Sequence, residues 1–284
     1  MTNAVAELIN VGKRSRSMPV GVMIRVAKRE DLALAARLAD EMLAFARARL
    51  IKAAQPAALR ARDARIAELV PSLQDALVVY FDGFLARLGV VQKDTAFPID
   101  PDSFDWTAEV RLLSEILADV YVDLGELAFA QVADELAIEL AFELEGPTTA
   151  PIRERLATQV SQITDTTRDI LRDRVEVAVS RGYSVEQLVT GVDDLTGLRD
   201  LFGSRARTIA LTETANAYNA AAIAGYVETG LVDLVVVFDG PDCGWLTHDD
   251  PDLAHNSERT LEEAGQHLIS HPHCQRAFGA LSAV

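Results

Sequence analysis

The sequence predicts a mainly α protein, with long N-terminal helices followed by a small C-terminal α+β domain. Three observations predict it. Aromatic residues are only 6% of the chain and alanine is abundant, a composition that favours helix. Apolar residues recur three and four apart through most of the sequence. The first convincing β-branched run, Leu234-Val235-Val236-Val237-Phe238, comes late and is bounded by Asp239-Gly240-Pro241, so it reads as a buried strand entering a turn.

Residues 1–29 form a poorly specified lead-in. From Glu30, the positions Leu32, Ala35, Ala36, Ala39, Met42, Leu43 and Ala46 share one helical face, with Glu30 and Asp31 in the first turn where acids complement the helix dipole. After Pro56 a second helix carries Leu59, Ile66 and Leu69, then Leu73, Leu77 and Phe81 beyond Pro71, towards Gly89. A proline-containing loop, 93–102, leads to a long amphipathic helix from about Phe104 to Glu145. Its seam of Leu113, Leu117, Val120, Leu124 and Leu127 suits either a partner helix of the same chain or a partner subunit. Gly146-Pro147 ends that segment. Pro151 opens the next helix, and Gly182 is placed to cap it at Arg181. Ser184 and Gln187 have the spacing of a capping box for a short helix to about Thr190. Gly203-Ser204 precedes a strong helix, Arg205 to Thr229, stopped by Gly230. After the strand come a turn, a polar loop, a short helix at 261–264, and a second strand within 277–284. No repeat at solenoid spacing is visible.

The net charge of -16 is unevenly spread. Residues 1–60 carry 11 Lys and Arg against 5 Asp and Glu, and residues 61–150 carry 5 against 18. Such a chain is not built to coat nucleic acid over its whole surface; the basic N-terminal arm offers at most a weak DNA contact. The N-terminus lacks the apolar run of a secretory signal, and no stretch of bilayer-spanning length is free of charge. The expectation is a soluble protein made in the cytoplasm, with no membrane partner. Two cysteines in 284 residues are no disulfide framework.

The chemistry-bearing residues are concentrated between Asp242 and Arg276. Both cysteines, Cys243 and Cys274, and all five histidines, His248, His255, His267, His271 and His273, lie there. Cys243-x4-His248 and His271-x2-Cys274 each supply two ligands from close in sequence, and together they form a tetrahedral zinc set with Pro272 stiffening the second pair. His255 is an alternative to His248; His273 is spaced less well. Four protein ligands leave no open position, so such a zinc is structural. A free thiol pair or a disulfide are the plainer readings, the disulfide disfavoured in a reducing cytoplasm. Paired with His248 or His271, Cys243 also has the composition of a thiol nucleophile and base, but nothing recognisable beside it forms an oxyanion site. The zinc-deaminase and zincin signatures are absent, as are phosphate-binding glycine loops.

The Arg205–Thr229 helix carries a polar stripe. Glu213, Asn216 and Asn219 follow one another at three, and Arg205 stands a little over two turns ahead of Glu213. Ile209, Tyr218, Ala222 and Tyr226 can face the core. The stripe is either a recognition surface or, the favoured reading, a set of polar side chains in which Glu213 and Asn216 tie down backbone groups of the nearby loop.

These elements have a familiar order: Arg205-Ala206, Ile209-Ala210, Thr212-Glu213, Asn219-Ala220 and Tyr226, then Gly230, a strand, Cys243-Gly244, His248, and finally His271-Pro272-His273-Cys274-Gln275-Arg276. Over about residues 184–278 the chain resembles the C-terminal domain of the Mu F-like head morphogenesis proteins of tailed phages. The run Cys243-Gly244-Trp245-x-x-His248-Asp249-Asp250-Pro251 looks like the branch found in phages of actinobacteria. It departs from that pattern at His273, where Asn is usual, at Gln275, where Arg is common, and in having a single cysteine in the first turn. The resemblance divides the chain into a helical region, 1–183, and a Mu F-like domain, 184–284. It implies a minor capsid protein inside the virion head, docked through its N-terminal helices on the portal protein, with scaffold or major capsid protein as further candidate partners. It further implies a role in head assembly and DNA packaging or delivery, without enzymatic activity. A metal-dependent nuclease or thiol hydrolase using the Cys/His end is the competing expectation.

Overall fold

The computed structural model describes residues 60–88, 99–239, 243–245, 254–272, 274 and 276–282. The helix expected from Glu30 to Ala46, most of the 93–102 loop, His248 and His273 lie outside the described residues. Among those described there are six helices and one three-stranded sheet, a mainly α chain ending in a small α+β region.

The first helix, α1, is Arg60–Leu88. Leu73, Leu77, Phe81, Phe84 and Leu88 are buried at helical spacing, and the helix runs on through Pro71, which cannot donate to the carbonyl one turn back. By length and composition α1 is apolar enough to cross a bilayer, yet this face is spent on the core. The second helix, α2, is Trp106–Leu136, capped by the Asp105 carboxylate on the amide of Ala108.

Helix α2 stops well short of the expected Glu145. Ala137 takes a left-handed conformation (φ 53°), and the amide of Ile138 bonds back to the carbonyl of Ala133 at 3.0 Å. The apolar pattern continues beyond it because Leu140, Phe142 and Leu144 pack on the core from irregular backbone. The Phe142 ring sits over Gly125 of α2, edge-on to Phe129 at 5.1 Å.

Helix α3, Ala150–Arg181, has proline in its first turn and ends at Gly182 in the left-handed region (φ 70°). Helix α4, Val185–Thr190, is started by the Ser184/Gln187 capping box. Helix α5 is Leu198–Thr229, stopped by Gly230. It begins earlier than the expected Arg205 and passes straight through Gly203-Ser204. Leu198 and Phe202 extend the buried face of Ala206, Ile209 and Ala210, and the Phe202 ring stacks on Phe81 at 4.8 Å. That packing outweighs the penalty of about 1 kcal/mol for one helical glycine.

Residue pairs give the helix directions. Arg65–Asp123 and Arg87–Glu109 set α1 antiparallel to α2. Arg62–Tyr218 and Phe81–Phe202 set α1 antiparallel to α5. Arg155–Asn216 and Arg205–Ile163 do the same for α3 and α5. Tyr121–Glu213 and Tyr226–Glu135 run α2 parallel to α5. Four long helices thus form a bundle in which α5 touches all three others. The seam Leu113, Leu117, Val120 and Leu124 is buried within the chain itself.

The sheet has strand order β2-β1-β3, all antiparallel: β1 is Val232–Phe238, β2 Glu258–Thr260 and β3 Ala277–Ser282. In register, Val235 lies opposite Ala280 and Arg259, and Phe238 opposite Ala277. Strand β2 sits where a polar loop is expected. Three residues, Glu-Arg-Thr, carry no apolar alternation, and only pairing with β1 makes them a strand. Helix α6, Leu261–Gln266, follows at once from a Thr260/Glu263 capping box. The outer strand β3 is fastened to the bundle by the amide of Ala280, which donates to the Glu135 carboxylate of α2 at 3.0 Å.

Candidate metal centre

Two short segments flank the sheet: the one following β1, with Cys243-Gly244-Trp245, and the one preceding β3, with His271, Pro272, Cys274 and Arg276. Because β1 and β3 are paired and Phe238 faces Ala277, the end of one strand lies beside the start of the other. The segments therefore meet. Within the second, the amide of Cys274 donates to the carbonyl of His271 at 3.1 Å, closing a turn with Pro272 at the position where its fixed φ is suited. That turn brings the side chains of His271 and Cys274 together.

The Cys243, His271 and Cys274 ligand atoms all lie within 4.8 Å of one another. Cys243 Sγ is 3.0 Å from His271 Nε2 and 3.8 Å from Cys274 Sγ. Two thiolates bound to one tetrahedral zinc at about 2.3 Å each would lie ~3.8 Å apart, so the sulfurs are already at coordination spacing. No disulfide joins the two cysteines, and each is only 4% exposed. His271 Nδ1 is 2.6 Å from the carbonyl of Pro272. A carbonyl only accepts, so Nδ1 is the donor here, and in the neutral ring Nε2 then turns its lone pair to the sulfur. Metal-binding histidines are commonly fixed in this way. Cys274 Sγ lies 3.5 Å from both the amide and the hydroxyl of Ser270, which can donate to it. The donor set can hold a metal ion.

Three of the four expected ligands are thus brought together, and the fourth, His248, lies outside the described residues. His255, its alternative, is used elsewhere: its Nδ1 accepts the amide of Asp239 at 3.2 Å. His267 stands against the Trp245 ring. Partial burial, with the charges of Arg276 and Arg259, lowers its pKa.

The pattern of Cys and His gave no hint of the residue that holds these segments together. Arg276 is fully buried, and its guanidinium makes a bidentate pair with Asp239, at 2.9 Å from Nε and 2.8 Å from Nη2. Nη2 also donates to the carbonyl of Gly244 at 2.6 Å, and Nη1 to those of Trp245 and His267 at 3.1 and 2.7 Å. The Trp245 ring lies 4.7 Å from Arg276 and 4.5 Å from Arg259. These are the only two basic residues among 231–284, against nine acids, and that scarcity is the sequence signal available.

The polar stripe of α5 divides between two networks. Asn219 donates its amide to the carbonyls of Leu268 and Arg276, at 2.8 and 2.9 Å, so it fastens backbone beside the Cys/His cluster to the bundle. Arg62 of α1 donates to the same Arg276 carbonyl at 2.6 Å. Glu213 and Asn216 bond side chains, where loop backbone was expected. Glu213 accepts from the Tyr121 hydroxyl at 3.0 Å and from the Asn216 amide at 3.4 Å, and Arg155 donates to Asn216 at 2.9 Å. Burial pushes the Glu213 carboxyl up to about 7 against the opposing pull of these hydrogen bonds and the Arg155 charge. Arg205 stands apart, donating to the carbonyl of Ile163 at 3.2 Å.

Compared with protein families, with curated proteins and with solved structures, the chain gives no match.

Proposed function

We propose that this chain is a structural protein of a tailed-phage head, inside the virion, with the helices before residue 184 docking on the portal and no catalytic turnover of its own. The observation that carries the reading is spatial. Asn219, Cys243, Gly244, His271, Cys274 and Arg276, the scattered residues behind the resemblance to Mu F-like proteins, lie in two linked clusters between the body of α5 and one end of the sheet. Buried thiols and a buried arginine stitching four segments suit a clamp better than a reaction centre. Scaffold or major capsid protein are further candidate partners, and the basic N-terminal arm is a minor candidate for DNA contact. Co-expression with the cognate portal protein tests this. Stable co-purification supports it, and a chain that stays separate from both portal and procapsid removes its main support.

In the same reading the clamp holds one structural zinc. Cys243, His271 and Cys274 supply two thiolates and one imidazole, a borderline-soft set suited to Zn²⁺. Elemental analysis of the purified protein tests it. One zinc per chain, lost in Cys274→Ser, is the expected result, and a metal-free protein of normal fold refutes it.

One distance favours a second reading. Cys243 Sγ and His271 Nε2 at 3.0 Å have the spacing of a thiol nucleophile and its base. A hydrolytic activity lost in both Cys243→Ala and His271→Ala, with the fold kept, would establish it over the structural reading.

A further inference from the structure

We infer that Cys243 and Cys274 are a redox pair that bound metal protects: in the metal-free chain, a peroxide closes them into an intramolecular disulfide. This rests on the metal reading for the protection but not for the disulfide. The sulfurs are 3.8 Å apart, and neither cysteine lies in a helix or strand. Bond formation needs an approach to about 2.05 Å, a movement that side-chain rotation with a small shift of two irregular segments supplies. Each cysteine has a distinct setting. Cys243 faces the Nε2 lone pair of His271. Cys274 lies 3.5 Å from both the amide and the hydroxyl of Ser270. At 4% exposure, both sulfurs admit a small oxidant more readily than a bulky disulfide.

The step balances as follows. His271 Nε2 takes the Cys243 proton, and the thiolate attacks one oxygen of hydrogen peroxide. The O–O bond breaks, leaving a sulfenic acid on Cys243 and a hydroxide that is protonated to water. Cys274 then attacks the Cys243 sulfur; the S–S bond forms, the S–OH bond breaks, and the departing hydroxide takes the Cys274 thiol proton to become the second water. Two thiols lose two electrons, and one peroxide is reduced to two waters. A metal ion occupies the same sulfur and nitrogen lone pairs, so it blocks the first attack.

The experiment uses the full chain, one portion stripped with a chelator and one loaded with zinc, each treated with hydrogen peroxide. Intact mass and peptide mapping without reductant are then read. The stripped chain should lose the mass of two hydrogens, show linked peptides carrying Cys243 and Cys274, and revert with dithiothreitol. The zinc-loaded chain should react about tenfold more slowly or less. Cys274→Ser should stop at a dimedone-reactive sulfenic acid on Cys243, which keeps the test open if the double thiol is needed for folding. Sulfinic acid or intermolecular dimers without the linked peptide would overturn the redox pair. Zinc binding without a disulfide removes this inference alone. A disulfide in a chain that binds no zinc removes the metal and its protection, and leaves the pair.

Discussion

Asn219, mid-helix in α5, donates its side-chain amide to the main-chain carbonyl of Arg276, 57 residues later, at 2.9 Å. The guanidinium of that same Arg276 reaches the other way, into Asp239 and the carbonyls of Gly244, Trp245 and His267. Among the described residues, Arg276 thus connects the bundle to the segments around the candidate metal centre.

Arg276→Ala should therefore be among the most destabilising substitutions in the chain. It leaves the fully buried Asp239 carboxylate without its cation, and breaking such a pair costs about 3–5 kcal/mol. Arg276→Lys should recover little, because an ammonium cannot reproduce the bidentate fork and the carbonyl bonds together. Urea denaturation of the three proteins checks this. A lysine variant as stable as the parent would show that charge, and not geometry, is what the site needs.

If the cluster holds zinc as proposed, removal of the metal should be felt mainly at this end of the molecule. Chelation should lower the melting temperature and expose Cys243 and Cys274 to alkylation, while amides of α2 and α3 keep their protection from hydrogen exchange. Readdition of zinc should restore both. Loss of protection across the whole bundle would mean that the metal supports folding of the entire chain.

Much of this arrangement is legible in the sequence. Caps at Gly182 and Ser184, stops at Gly182 and Gly230, and the strand ending at Phe238 are set by local chemistry and appear where expected. Where tertiary packing decides, the sequence misleads. Phe202 on Phe81 carries α5 through a glycine, Phe142 on Gly125 makes irregular chain look helical, and β2 exists only through its neighbour. The type and spacing of the cysteines and histidines point to Cys243, His271 and Cys274, three of the four expected ligands, which meet in a cluster that could hold a metal. The Arg276–Asp239 pair does not, because no local pattern relates two residues 37 apart.

Glu213 should make stability depend on pH. Its folded pKa, about 7, lies above the ordinary 4.5. Its contribution is therefore fully favourable below about pH 4.5 and is lost as pH rises through 7, a change on the order of 3 kcal/mol. The facing groups are Tyr121 of α2, Asn216 of α5 and, through Asn216, Arg155 of α3. Glu213→Gln should behave like the parent at pH 4 and be the more stable of the two at pH 8. An equal difference between the two proteins at both pH values would show that Glu213 does not titrate in this window.

Gly125→Ala should change sign with its neighbour. A Cβ on Gly125 would lie 2.2 Å from Cζ of Phe142, too close for any real contact, so the ring must move. Such overpacking costs about 1–3 kcal/mol. In a Phe142→Ala background the same space is open, and alanine's helix propensity then favours it over glycine by about 1 kcal/mol. Four proteins measured by urea denaturation complete the double-mutant cycle, with an expected coupling of about 2 kcal/mol or more. Additive effects would show that Phe142 does not rest on Gly125 in solution.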